Sequence, residues 1–180
     1  MAAPSDSKPS VARKCTTQEH RPRVRCVIVL RPMSEVAARA LTAGEAPPDV
    51  TTADDYPTEF SLGMAPMVGA GSPLGPWLMH RLEDEVVVGD IGGGFIAPRV
   101  AEIGYAVVRS CWGRGYATAA VSALVDSARR QLGIDQLVGH TPLDRPASGR
   151  VLAHCGFVHV GEVDDEHDGN RIRVQSGVWT

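Results

Sequence analysis

Glu102-Ile103-Gly104-Tyr105-Ala106-Val107-Val108, followed by Cys111-Trp112-Gly113-Arg114-Gly115-Tyr116-Ala117-Thr118, decides how the chain is read. The first run is apolar and β-branched enough to predict a strand. After the glycines, Ala117, Ala120, Val121, Leu124, Val125, Ala128 and Leu132 recur at steps of three and four, which predicts one long amphipathic helix that Gly133 stops. Gln136-Leu137-Val138-Gly139-His140 then reads as a second strand. A strand, helix and strand in this order form a right-handed crossover whose two strands are parallel.

Upstream, Arg23 to Leu30 predicts a first strand that Pro32 ends. Ser34 is placed to cap a helix carrying Val36, Ala37, Ala40 and Leu41, with Gly44 and Pro47-Pro48 beyond it. Residues 49–75 carry little pattern; Phe60 to Val68 reads as helical before Gly69-Ala70-Gly71-Ser72-Pro73, and a long mobile segment here suits a substrate-facing wall. Trp77 to Leu82, Val86 to Ile91 and Glu102 to Val108 are strands joined by hairpin-length links at Glu83-Asp84-Glu85 and Ala97-Pro98-Arg99.

Downstream come a short helix from about Pro146 to Cys155 and strands near Phe157 to Val160 and Arg171 to Val178. The expected order is β-α-α-β-β-β-α-β-α-β-β. The class is α/β with α+β character: a single domain over residues 21–180 with a mixed, mostly antiparallel sheet, one parallel pair and flanking helices.

A Gly-rich turn between a strand and a helix presents unpaired N–H groups at the positive end of the helix dipole, which suits a diphosphate. Gly113 and Gly115 let the main chain approach closely, Arg114 offers a guanidinium for a phosphate oxygen, and Trp112 and Tyr116 offer flanking apolar surface. The alternative is a strand-to-helix turn in which glycine only relieves strain. A P-loop is excluded by the missing Lys-Ser/Thr pair, and a dinucleotide fingerprint by the missing third glycine.

The chain has 180 residues, 43% hydrophobic and 22% charged, enough for one sizeable core. A formal charge of -3 from 18 basic and 21 acidic residues mixed along the sequence gives no field to gather nucleic acid. No apolar run approaches the roughly 20 residues that cross a bilayer. Residues 1–20 read as a disordered, small and polar tail without a secretory signal. Cys15, Cys26, Cys111 and Cys155 are scattered with no CxxC pair, so reduced thiols, a cytoplasmic location and no metal are expected.

Three motifs in order, Ala-Glu-Ile-Gly-Tyr (101–105), Trp-Gly-Arg-Gly-Tyr-Ala-Thr (112–118) and Ala-Ser-Gly-Arg-Val-Leu-Ala-His-Cys-Gly-Phe (147–157), together resemble the GNAT acetyltransferase superfamily. The likeness is greatest to the branch that includes the ribosomal-protein N-acetyltransferases. It implies acetyl-CoA as co-substrate, its pyrophosphate held by the backbone of Cys111, Trp112, Gly113, Arg114, Gly115, Tyr116 and Ala117. It also implies that Tyr105, Ala106, Val107 and Val108 offer a strand edge to the pantetheine arm, opened by a bulge that splays it from the strand ending at His140. An amide-bearing arm adds to a strand edge much as a peptide does.

Attack on a thioester requires a base for the amine and an acid for the leaving thiolate. Glu102 stands where many members carry a glutamate base; the competing reading is a solvent-facing glutamate that keeps an edge polar. Ser148 stands where the ribosomal-protein branch carries a serine proposed to face the CoA sulfur; the competing reading is a helix-start hydroxyl bonded to its own backbone. The tyrosine that other members use aligns with Leu152. Arg145 replaces an asparagine usual before that serine and is itself a candidate for the cofactor, Ala119 replaces a glutamate, and Ser110 replaces Arg or Gln.

His140, His154 and His159, with Cys155 nearby, read as structural. Gly92-Gly93-Gly94 reads as a bulge or turn, and Glu162 to Gly169 as a solvated hairpin loop that also offers acidic groups to a cationic acceptor. The expected activity is transfer of an acetyl group from acetyl-CoA to a primary amine, on a small molecule or a protein N-terminus, by direct attack in a ternary complex; a homodimer is compatible with it. The alternative is an acyl-CoA-binding or regulatory module without turnover.

Overall fold

The computed structural model describes residues 27–70, 72–167 and 170–180. The expected tail, Cys15, Cys26 and the start of the first strand at 23–26 lie outside the described residues. The strands are β1 (Ile28–Pro32), β2 (Trp77–Arg81), β3 (Val87–Ala97), β4 (Val100–Val107), β5 (Gln136–Pro142), β6 (Val158–His167) and β7 (Asn170–Trp179). The helices are α1 (Glu35–Thr42), α2 (Glu59–Met64), α3 (Tyr116–Gln131) and α4 (Pro146–His154). The element order is the one the sequence predicts.

All strands join one sheet in the order β1-β2-β3-β4-β5-β7-β6. Neighbours are antiparallel except β4 and β5, which are parallel. Pro32 is the last residue of β1 rather than its stop, which an edge strand tolerates because a missing N–H breaks no second ladder. The Ser34 hydroxyl caps α1 by accepting from the Ala37 N–H at 2.9 Å.

Two readings of turns are corrected. Gly92, Gly93 and Gly94 are not a bulge; they continue β3 in regular register opposite Gly104, Ile103 and Glu102. The run from Glu162 is not a loop but β6, paired with β7 as far as His167 opposite Asn170. An acidic run has no sequence mark of a strand, and it forms one at the edge of the sheet because β7 pairs with it along its length.

The segment 49–75 is not a long mobile stretch. The backbone around Thr51 to Ala53 is bonded to Val87, Leu74 is fully buried, and the Tyr56 hydroxyl donates to buried Asp90 at 2.9 Å. The Ser61 hydroxyl donates to the other Asp90 oxygen, tying α2 to β3. Burial of Asp90 lifts its carboxyl to about 6.

The two faces of the sheet differ. Along β4, Ala101 and Ile103 are buried on one face, while Glu102 and Gly104 lie on the other, where the Phe60 ring of α2 abuts Gly104. On the first face Leu152 of α4 presses on Gly139 of β5, and α3 packs beside α4. Ala120, Val121, Leu124 and Ala128 of α3 are buried as their spacing predicts; each large side chain there contributes roughly 1.5–3 kcal/mol.

Candidate active site

β4 and β5 pair only from Val100 opposite Gln136 to Ile103 opposite Gly139. Beyond that point β4 stays with β3 through Val107 opposite Gly89, and β5 stays with β7 through Pro142 opposite Val174. The parallel pair therefore forks. The register of β3 with β4 is unbroken from Gly89 to Phe95 and shifts only beyond Phe95, so the fork is not opened by a bulge at Tyr105 to Val108, as expected. It opens because each strand keeps its outer partner.

Backbone groups alternate sides along a strand, and the Val108 N–H donates to the Val88 carbonyl at 2.9 Å. Val108 and Ala106 thus give their backbone groups to β3, whereas Tyr105 and Val107 present theirs to the fork. The Val107 carbonyl accepts from the Trp112 indole N–H at 2.6 Å. Trp112 is 65% exposed, with the Arg109 guanidinium over its ring.

The turn after β4 begins with a tight 3₁₀ segment, Arg109–Cys111. It uses the Cys111 and Trp112 N–H groups, which donate to the Val108 and Arg109 carbonyls. Gly113 and Gly115 then take left-handed φ values of 74° and 81°, which glycine adopts without a Cβ penalty. The first bond of α3 runs from the Ala119 N–H to the Gly115 carbonyl. Gly113, Arg114, Gly115, Tyr116, Ala117 and Thr118 are left with N–H groups that have no acceptor among the described residues. The unpaired row is shifted from the expected 111–117 to 113–118.

Arg114 is exposed, and no acidic side chain among the described residues pairs with it. Tyr116 is buried, so it supports the turn from below rather than offering surface to a ligand. Asp55 accepts from both the Ser110 N–H at 2.9 Å and its hydroxyl at 2.6 Å, joining the segment before α2 to the turn. These bonds hold the Asp55 carboxyl below its usual value.

Across the fork, the Tyr105 hydroxyl donates to the Ser148 carbonyl at 2.9 Å. Burial pushes the Tyr105 phenol well up, so it stays a neutral donor. Ser148 is half-buried, and its hydroxyl has no partner among the described residues. Arg145 is the exposed residue just before α4, with no side-chain capping bond. Leu152 is buried. Cys155 follows α4, its thiol on the Thr118 carbonyl at 3.5 Å and pushed up to about 11 by burial.

On the α2 face, Glu102 lies opposite Gly94 on one side and Val138 on the other. Val138 and His140 share this face, since Leu137, Gly139 and Thr141 are the buried set on the other. The His140 Nδ1 is buried and has no hydrogen-bond partner among the described residues. Sequence reading set His140 aside; only its place two residues after Val138 on the strand that forks could have singled it out. It also missed the Tyr105 hydroxyl, because a strand read for its edge does not show where its side chains reach. No group of three or more His, Cys, Asp or Glu suited to a metal occurs among the described residues, and no helix there is long and apolar enough to cross a membrane.

Residues 27–158 match the family model of the acetyltransferase (GNAT) domain. A 76-residue stretch is 34% identical to the FsC-acetyl coenzyme A-N(2)-transacetylase of Aspergillus fumigatus, covering 42% of this chain and 32% of that protein. A stretch of 87 residues is 31% identical to the uncharacterized N-acetyltransferase YoaA of Bacillus subtilis, covering 47% of this chain and 49% of that one. The matches thus span about half or less of these relatives' lengths. Among solved structures, a mutant of the spermidine N-acetyltransferase SpeG from Vibrio cholerae superposes with a TM-score of 0.63 at 15% identity, over 86% of this chain and 94% of that one. A GNAT-family acetyltransferase from Bacillus anthracis does so with a TM-score of 0.62 at 12% identity, over 84% and 93%. At these identities the structures speak for the fold.

Proposed function

The chain belongs to the GNAT acetyltransferase family, and on that premise we propose that it transfers an acetyl group from acetyl-CoA to a primary amine, on a small molecule or a protein N-terminus. One observation carries this reading: the row of unpaired N–H groups from Gly113 to Thr118 lies at the end of a strand whose edge is freed by a fork. The row suits a diphosphate at a helix start, with Arg114 beside it, and the edge groups of Tyr105 together with the Val107 N–H suit the amides of a pantetheine arm, the Val107 carbonyl being held by Trp112.

The donor enters from the turn and brings its thioester toward the fork. The lone pair of the amine attacks the carbonyl carbon, the C–N bond forms, and the C–S bond breaks. Ser148, its hydroxyl without another partner among the described residues, protonates the leaving thiolate and recovers a proton from solvent. Glu102, half-buried on the α2 face, takes the proton of the ammonium directly or through an intervening group. Ser148 also supports the likeness to the ribosomal-protein branch. The proposed setting is the cytoplasm, as a monomer or homodimer of one domain over residues 21–180.

The experiment is a thiol-release assay with acetyl-CoA and a panel of amines. Release that requires both substrates supports transfer. Tight acetyl-CoA binding with no release from any amine favours the alternative of a binding module, a reading to which buried Leu152, unable to donate a proton, lends weight.

A further inference from the structure

We propose that His140 carries the proton from the acceptor amine to Glu102, as a catalytic residue of the acceptor side. The inference rests on the acetyl-transfer reading above and names the group through which Glu102 acts. Four observations converge on it. His140 is the first residue of β5 beyond the last β4–β5 pair, Ile103 opposite Gly139, so it stands where the fork opens. It shares a face with Val138, which lies opposite Glu102. Paired-strand spacing of about 4.8 Å and a rise of about 6.6 Å over two residues set the least separation of the Glu102 and His140 backbones, and the fork adds to it, which leaves room for a small group between the two side chains. Finally, the His140 Nδ1 is buried with no hydrogen-bond partner among the described residues. A buried imidazole nitrogen without a partner is costly unless something entering the site supplies one.

The surroundings leave room for an amine. Gly94, opposite Glu102, has open space where a side chain would stand, and the Phe60 ring on Gly104 walls the side toward α2. Of the titratable groups on neighbouring elements, Glu102 on β4 shares the face. Ser176 of β7 is opposite His140 in register, and α4 with His154 and Cys155 lies on the other side of the sheet. The ammonium gives one proton to the imidazole, which passes it to the Glu102 carboxylate and on to solvent; the free amine attacks the thioester carbon, the C–S bond breaks, the nitrogen sheds its second proton to solvent, and Ser148 protonates the leaving thiolate and regains a proton from solvent. Atoms and charge balance without another reactant.

The test uses the full chain, saturating acetyl-CoA, and two acceptor probes, spermidine and a peptide with a free alanine N-terminus. With an accepted probe, the pH profile of kcat/KM is recorded for the wild type. His140→Gln changes that profile and lowers kcat at least tenfold with unchanged affinity for acetyl-CoA. His140→Asn, a second variant of different shape, does the same, and circular dichroism confirms that both fold. A profile and rate unchanged in both variants overturns the role of His140 while leaving the acetyltransferase reading intact. Absence of thiol release from wild type with either probe or any amine of the panel overturns both.

Discussion

The Tyr105 hydroxyl donates to the Ser148 carbonyl at 2.9 Å, so one bond spans the fork and fixes the first turn of α4 relative to β4. The bond places the Ser148 side chain without engaging its hydroxyl. Tyr105→Phe removes the second donor from a carbonyl that α4 already engages, and the expected loss is about 0.5–1.5 kcal/mol in urea denaturation. Acetyl-CoA affinity falls with it, because the fork is no longer held at one width. Unchanged stability and affinity would mean that the bond does no positioning.

Ser148→Ala and Glu102→Gln are expected to lower kcat by about 10²-fold, the lower range for loss of an acid or a base. Affinity for acetyl-CoA stays near wild type, since neither group belongs to the turn. Steady-state rates beside direct binding measurements separate the two effects. A rate unchanged across pH returns both residues to structural roles.

Gly115 has a left-handed φ of 81° and open space where a Cβ would stand, so the cost of Gly115→Ala is conformational rather than steric. Denaturation should show a loss of about 1–2 kcal/mol. Acetyl-CoA binding weakens further, because the N–H groups that follow are re-aimed. A variant that is less stable yet binds normally would separate the glycine from the ligand.

Asp90 makes stability depend on pH in a direction opposite to ordinary paired carboxylates. Its carboxyl rises from 3.8 to about 6 on folding, so the native chain binds that proton more tightly than the unfolded chain. The resulting stability is complete below pH 3.8, is lost as pH rises to about 6, and is absent above. The change amounts to about 3 kcal/mol. Asp90→Asn removes it, so the wild-type minus variant stability falls between these limits and is flat beyond. Asp55, Asp84 and Asp135, held low by hydrogen bonds, cancel in that difference. Denaturation of both proteins across this pH range gives the slope, and a flat difference would show that burial does not hold the proton.

What was legible in the sequence was what periodicity and turn chemistry encode. The apolar stripe of α3, the stop at Gly133 and the strand–turn–helix around Gly113 and Gly115 all stand where spacing put them. The segment before β2 was opaque because polar side chains organise it: Tyr56 and Ser61 meet at Asp90, a pattern with no period. β6 was hidden for a related reason, since its acidic residues look like solvated loop until a partner strand is known. The candidate site was legible as a list and not as an arrangement. The sequence pointed to Tyr105 and Ser148 separately, but only the fold shows that Tyr105 reaches across to the Ser148 backbone, that Tyr116 is turned inward, and that His140 stands at the fork.

Calorimetric titration of the protein with acetyl-CoA, repeated on Arg114→Glu, tests the central claim most directly. The expected result is saturable binding by the wild type that drops at least tenfold in the variant, where a carboxylate faces the anionic ligand. No binding by the folded wild type would contradict the assignment of the turn at Gly113 to Thr118 to a coenzyme diphosphate, and with it the acetyl-transfer reading.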